Sequence, residues 1–461
     1  MKILVISANR KLLPDPVYPI GAAYVATICR DNGHDVDAFD CNFHPDLEEG
    51  LKNKLNVFQP DLIAISMRNV DNTTLTRPQS FLPDYQKTLE FCRKYSEAKI
   101  MLGGSGYSLF PKEFYDKLKP DYGVVGSAEE SLLTALEQIE DHPSHNRIFY
   151  GADHSNSGND IIPDRSFFDL EKYYNLGGLI SVQTQRGCTF KCSYCTYPFL
   201  EGYRLITKNA QLVTDEIAYL KEKFGIRYFF IVDSVFNHSE KHVMEVCDTL
   251  VRRNLKIKWS AYLRPKYKNP DIFPAMKEAG CKSIELGTDA LSGTTLKSFK
   301  KSFTVDEVFN FCDATRAANI RFCHSLIFGA PGETEQTVAE TVNNAQLTRP
   351  TAILAFAGTR ILPNTALAEH CIETGFVKKR EAIGVEPIFY TEPGIDQKWI
   401  IDYLKKTAEN DKRWIIPGVT TPKKITQKMM RFMNKRGLLW EFKVYATFGQ
   451  RVKERFNRKE R

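Results

Sequence analysis

Two stretches of this 461-residue chain alternate short apolar strands with amphipathic helices. Such alternation forces parallel sheets, because successive strands pair in one direction only through a long crossover, usually a helix. In the first stretch Lys2–Ser7, Asp35–Asp40, Asp61–Ser66, Lys99–Gly103 and Tyr122–Gly126 read as strands. Helical patterns lie between and after them, over Ile20–Asn32, Pro45–Val57, Pro83–Tyr95, Pro111–Leu118 and Glu129–Glu140. This predicts a doubly wound, Rossmann-like α/β domain over residues 1–141. In the second stretch the strands are Leu179–Thr184, Tyr228–Asp233, Lys256–Tyr262, Ser283–Gly287, Arg321–Phe328 and Ala352–Ala357. Six β/α repeats predict a partial, TIM-like (β/α)6 barrel over residues 179–375, open on one side. In barrels of this kind active sites gather at the C-terminal ends of the strands. His142–Asp160 has linker composition, so residues 142–178 are expected to connect the two, and 376–461 to form a mostly helical extension.

Charge separates body from tail. Of the formal net charge of +7, residues 421–461 contribute 13 Lys/Arg against 3 Asp/Glu, leaving the first 420 residues at −3. The body is therefore no polyanion-binding surface, and no nucleic-acid partner is expected. MKILVISANRK lacks the apolar stretch of a signal peptide, and no window approaches the ~18 apolar residues of a membrane span. A cytoplasmic location follows, where cysteines stay reduced. Eight of the eleven cysteines are scattered singly among apolar segments and read as core.

The other three stand together. QTQRGCTFKCSYCTYP places Cys188, Cys192 and Cys195 in a C-x3-C-x2-C pattern directly after the first barrel strand. Three thiolates on one loop suit three irons of a [4Fe–4S] cluster and leave the fourth open for a small molecule. The rival readings are a zinc site or three unrelated buried thiols. Zinc would want a fourth Cys or His at matching spacing, and none follows nearby.

This motif, with Tyr194 before its last cysteine, resembles the radical S-adenosylmethionine (AdoMet) superfamily. The resemblance implies that the three cysteines ligate the cluster, that the open iron chelates the methionine end of AdoMet, and that Tyr194 meets adenine through its backbone. It also implies AdoMet contacts at Asp233 (in Phe230–Asn237), at Glu285 and Asp289 (in Glu285-Leu-Gly-Thr-Asp289), and at Gly329 and Glu333 (in Leu326–Thr334). Many relatives carry Glu-Ser or Gln-Ser where this chain has Thr288-Asp289. By itself Gly329–Glu333 is only a strand-to-helix turn with a carboxylate placed well for the helix dipole.

The first domain lacks the GxGxxG phosphate turn; its first loop, Ala8–Gly21, carries Pro14, Pro16 and Pro19 instead. Tyr18-Pro19-Ile20-Gly21, Leu102-Gly103-Gly104 and Val125-Gly126-Ser127-Ala128-Glu129 resemble the cobalamin (B12)-binding domain that precedes many radical AdoMet barrels, as does the linker phrase Ile162-Pro-Asp-Arg-Ser166. The resemblance implies cobalamin contacts at Tyr18, Pro19, Gly21, Ser66, Gly103, Gly104, Gly126, Ser127 and Glu129. The Asp-x-His-x-x-Gly element that supplies a cobalt-ligating histidine elsewhere is absent, and His34 reads as structural.

The implied activity is cobalamin-dependent C-methylation of an unactivated carbon on a small-molecule or lipid substrate. A 5′-deoxyadenosyl radical would abstract the hydrogen, and a flavodoxin or ferredoxin would donate electrons. Cyclisation, rearrangement or carbon–carbon joining with the same cofactors is the alternative. A cluster-based redox sensor anchored to nucleic acid is a third reading, against which the AdoMet-like segments argue. The tail, residues 421–461, mixes cations with Met429, Phe432, Leu439, Trp440 and Phe448. This pattern fits an interfacial helix giving peripheral membrane contact, and equally a helix packed on the body. Trp259, Tyr262, Arg264, His324 and Arg360 stand near strand ends as candidates to face the substrate, Trp259 and Arg360 equally as structural residues.

Overall fold

The computed structural model describes residues 1–12, 16–141, 147–151, 160–177, 179–420 and 437–442. The first sheet contains Lys2–Ser7 (β1), Asp35–Asp40 (β2), Leu62–Ser66 (β3), Lys99–Gly103 (β4), Tyr122–Val125 (β5) and Ile148–Tyr150 (β6), in the order β2-β1-β3-β4-β5-β6. Every pairing is parallel. Helices cover both faces, so β1 has no polar side: Ile3 through Ile6 are fully buried. β6 is a sixth strand inside the expected linker, where polar neighbours hide three pairing residues from any periodicity argument.

The second sheet begins with Ile180–Val182 (β7). A two-residue hairpin, Gln185–Arg186 (β8) with Ile206–Thr207 (β9), brackets the cysteine loop. Tyr228–Ile231 (β10), Lys258–Leu263 (β11), Cys281–Asp289 (β12), Arg321–Phe328 (β13) and Ala352–Ala357 (β14) follow in sequence order, all parallel. Thr359–Arg360 (β15) pairs antiparallel with Phe389–Tyr390 (β16). The expected six-stranded wall gains a seventh member, Trp414–Ile415 (β17), which pairs parallel with β14. The extension thus contributes strands as well as the helix Gln397–Asn410. Among the described residues no helix is long and apolar enough to cross a membrane.

The two sheets are bolted together. Tyr18, buried in the first domain, donates its hydroxyl to the Arg165 carbonyl at 2.9 Å, and the Arg165 guanidinium meets Glu216 of the barrel at 2.6 Å with both groups buried. On the other side Arg360 holds Asp71 at 2.8 Å, again fully enclosed. One apolar core runs from β1 through the barrel; a second joins the other face of the first sheet to residues 361–390. Most of the basic tail lies outside the described residues, but Gly437–Phe442 docks on the body with Leu438, Trp440 and Glu441 buried.

Candidate active site between the two sheets

The C-terminal ends of both sets of strands face each other. The helix Ser105–Leu109, after β4, touches Tyr197–Glu201, the helix that follows the cysteine loop. Arg68, after β3, lies within electrostatic reach of Tyr197 and Tyr262. Glu129, after β5, pairs with Arg186 beside Gly187 and Cys188. Tyr262 is 41% exposed although its ring packs 4.8 Å from Phe230 inside the barrel, so its free surface faces a lumen rather than the outside. Tyr197 and Arg68 are likewise exposed, with Arg68 near both tyrosines.

The cysteine loop is built by local necessity. Gly187 has φ +82°, and a Cβ there would stand 1.8 Å from the Arg204 carbonyl oxygen, so only glycine lets the strand turn into the loop. Cys188 N–H donates to Gly202 O at 3.0 Å, and Cys195 N–H to Cys192 O at 3.2 Å. The three thiols feel one another electrostatically. Among the described residues no His, Cys, Asp and Glu converge as ligands of a single ion. A four-iron cluster does not ask for convergence, since each thiolate meets its own iron. Nearby Ser193 Oγ and Arg264 Nε are buried without hydrogen-bond partners, and Arg264 also senses Cys188 and Cys192. Buried polar atoms of this kind call for a polar guest. The loop fits the cluster.

Beside it, Tyr194 donates its hydroxyl to Asp289, which also pairs with Lys301. Asp289 holds the left-handed conformation (φ +62°) where the β12–β13 register slips, which aims its carboxylate at the loop. Burial pushes the Tyr194 phenol well above its usual range, and the Asp289 charge adds to this. Burial opposes the charge of Lys301, but Asp289 and the neighbouring cysteines together more than offset it. Lys301 carries no motif; only the fold brings it here.

Other expected AdoMet contacts are committed to the protein. Asp233 accepts Thr184 N–H at 2.7 Å, Thr184 Oγ1–H at 2.6 Å and Gln185 N–H at 3.1 Å, which ties the end of β7 to β10. Burial still raises it to about 6. Glu333 receives the Gly329 and Ala330 N–H groups on Oε2 and Thr295 on Oε1, closing the loop after β13 on itself, and burial lifts it to about 7. Gly329, at φ +98°, packs against Thr391. Glu285 sits mid-strand, deeper than the rim, accepting the Trp440 indole N–H at 2.7 Å; burial lifts it to about 7. Its neighbour Tyr262 is raised chiefly by the Glu285 charge. The sequence left Trp440 either to an interfacial helix or to one packed on the body; it is buried on the body, in a short turn, beneath Glu285.

Of the expected cobalamin contacts, Ser66, Gly103, Gly104, Gly126 and Ser127 form a half-buried edge along the ends of β3, β4 and β5. Around Gly126 and Gly21 a Cβ would meet nothing within 4 Å, an open cradle. Gly104 works differently: a Cβ there would strike Met67 O at 2.6 Å, so its bareness admits the β3 loop. Tyr18 is core, Pro19 precedes the helix Ile20–Asp31, and Glu129 is spent on Arg186 and Ser127. His34 sits beside the Met1 amino group at the opposite edge of the sheet. Among the remaining candidates, Trp259 is core, bonded to Ala279 O at 3.0 Å. His324 is buried between Thr288 and Thr348, and burial drives it down to about 3. Arg360 belongs to Asp71, and Arg264 covers the Phe190 ring at 4.4 Å.

Comparison with known proteins agrees with this geometry. The family model "Radical SAM superfamily" matches residues 182–345, and "B12 binding domain" matches residues 8–136. A tryptophan 2-C-methyltransferase of Streptomyces laurentii is 22% identical, over 79% of this chain and 74% of its own. An anaerobic magnesium-protoporphyrin IX monomethyl ester cyclase of Rubrivivax gelatinosus is 24% identical over 71% and 62%. The structure of the radical S-adenosylmethionine methyltransferase TsrM from Kitasatospora setae, with cobalamin and [4Fe-4S] cluster bound, superposes with a TM-score of 0.84 at 19% identity, covering 98% of this chain and 99% of that one. With a cysteine loop fit for a cluster on one sheet and an open glycine edge opposite it, the chain carries a radical SAM domain preceded by a B12-binding domain.

Proposed function

We propose that this enzyme methylates an unactivated carbon of a small-molecule substrate held in the lumen between the two sheets. The observation that carries the reading is the facing arrangement: the cysteine loop and the open glycine edge border one lumen, with Tyr262 exposed toward it and Arg68 near both Tyr262 and Tyr197. When bound, the cluster with AdoMet supplies a hydrogen-abstracting 5′-deoxyadenosyl radical, and cobalamin supplies the methyl group.

The chain's own residues bind, orient and seal. Cys188, Cys192 and Cys195 would hold the [4Fe–4S] cluster. Tyr194, Asp289 and Lys301 form a charged rim that orients the ribose and methionine ends of AdoMet, while Asp233 and Glu333 keep the surrounding loops in shape. Ser66, Gly103, Gly126 and Ser127 would line the cobalamin site. Glu285 and Tyr262 offer the substrate a hydrogen-bonding pair in a wall that includes Phe230. Such a wall also serves to exclude water from a radical. Membrane contact of the tail, and with it a lipid substrate, is the finer reading; it falls mainly on residues 421–436 and 443–461, outside the described part.

Anaerobic reconstitution with iron, sulfide and hydroxocobalamin, followed by spectra and metal analysis, tests the cofactors. Four irons and one cobalt per chain are the expected result. Product analysis then separates the readings: transferred methyl groups matching 5′-deoxyadenosine formed support methylation. The radical product without methyl transfer would replace it by the cyclisation reading, which the cyclase relative favours.

A further inference from the structure

Resting on the reading that the cysteine loop holds a cluster, we infer that Arg264 is the counter-cation that sets the reduction potential of that cluster, and that Asn237 positions it there. Arg264 stands just past β11, at the strand ends where the loop lies. Its guanidinium covers the ring of Phe190, between Cys188 and Cys192, at 4.4 Å. The sequence left Arg264 as a candidate to face the substrate. Its surroundings assign it to the loop instead, for the cysteines it senses are Cys192 and Cys188.

The backbone here is clamped from both sides. Arg264 N–H donates to Asn237 Oδ1 at 2.9 Å, and Asn237 Nδ2 donates to the Arg264 and Lys266 carbonyls, both at 3.0 Å. Asn237 is itself buried, so the turn after β11 has little room to shift. The guanidinium is satisfied far less fully. Its Nη2 reaches Ser302 O at 3.3 Å, while Nε is buried with no hydrogen-bond partner among the described residues. Among those residues its charge has no carboxylate partner either. Glu307 and Glu240 lie within electrostatic reach, but Glu307 pairs with Lys266 at 2.7 Å. Glu240 accepts the Lys268 and Asn269 N–H groups at 2.7 and 2.9 Å. Lys301, also beside the cysteines, is spent on Asp289. A half-buried guanidinium without a carboxylate calls for an anion. Three thiolates make the cluster that anion, and its negative charge grows when it takes up an electron. A fixed cation beside it therefore favours the reduced form and raises the potential.

The step being tuned is one electron entering the cluster from a low-potential reductant; no bond forms or breaks, and the guanidinium keeps its protons. The test uses the reconstituted protein without AdoMet, as wild type, R264Q and R264K, in a redox titration with titanium(III) citrate as reductant. The readout is the paramagnetic resonance signal of the reduced cluster, which sees only molecules that carry one, so incomplete assembly leaves the comparison intact. Poised at the wild-type midpoint, R264Q should show a ratio of reduced to oxidised cluster at least about tenfold lower, ~59 mV in midpoint for one electron. R264K keeps the charge and should stay within about threefold of wild type. N237A should move the midpoint in the same direction by less; a wild-type midpoint there would remove Asn237 from the proposal. An R264Q midpoint equal to wild type would overturn it, as would R264K shifting as far as R264Q. Equilibrium dialysis of AdoMet separates the nearest rival: lost affinity with an unmoved midpoint would assign Arg264 to AdoMet instead. Absence of the cluster from both Arg264 variants would make the residue structural and likewise overturn the proposal. Failure of the underlying reading shows separately, as a wild type that assembles no cluster.

Discussion

Glu333, inside a segment expected to meet AdoMet, is held by hydrogen bonds of the protein itself. Its Oε2 serves the loop after β13 and its Oε1 takes the Thr295 hydroxyl; Gln can keep both contacts, its amide N–H donating to Thr295 Oγ1 instead, while losing the charge. Its folded pKa, about 7, lies above the ordinary 4.5, so the native state holds the proton more tightly than the unfolded chain. Stability from this group is therefore complete below pH ~4.5 and lost as pH rises toward 7. In thermal or denaturant unfolding of the cluster-free protein, wild type should lose roughly 3 kcal/mol relative to Glu333→Gln between pH 4.5 and 7.5. Parallel profiles would show that Glu333 stays ionised. Gly187 sets a second test at this scale. Gly187→Ala forces a Cβ into the Arg204 carbonyl at a left-handed φ, a cost of at least ~1–3 kcal/mol concentrated at the cysteine loop. Iron analysis after reconstitution should find the variant folded by circular dichroism but largely without iron.

Elements were more legible than residues. The strands of both sheets emerge from apolar periodicity nearly end to end, because buried parallel strands flanked by helices leave a strong pattern. β6 and β17 escape it: two- and three-residue strands at sheet edges carry no period, and only the register with β5 and β14 defines them. The cysteines read directly, since three ligands within eight residues are a local signal. Asp289 meets Lys301, and Glu285 meets Tyr262 and Trp440, across separate segments that no short-range rule links. The short turn Leu439–Phe442 is the least predictable element. Apolar and basic neighbours give it a surface character, yet Glu441 lies 2.6 Å from Ser283 and 2.7 Å from Tyr228, inside the barrel's lower mouth. Trp440→Phe keeps the ring and removes the donor to Glu285. The variant should cost about 1–3 kcal/mol in denaturant unfolding and raise KM more than it lowers kcat, if Glu285 faces the substrate.

At the scale of the whole molecule the joints are ionic and buried. Arg165–Glu216 and Arg360–Asp71 each place a guanidinium and a carboxylate in a buried interface between the sheets. Removing one partner strands the other, so Arg360→Met should cost about 3–5 kcal/mol. The double variant Arg360→Met/Asp71→Asn should cost less than the two single changes combined. Calorimetry should show one cooperative transition for both halves, because the larger apolar core runs through them. Two separated transitions would mean that the interface is weaker than its burial implies.

The lumen has walls from three parts of the chain: Arg68 comes from the first domain, Tyr197, Tyr262 and Glu285 from the barrel, and Trp440 from the far end of the chain. Its shape is thus joint property. Exchanging the B12-type half for that of a cousin would alter the ceiling while leaving floor and sides unchanged, and the hybrid would fit neither parent's molecule. New specificities in such a lineage are reached by paired substitutions across the seam rather than by swapping modules.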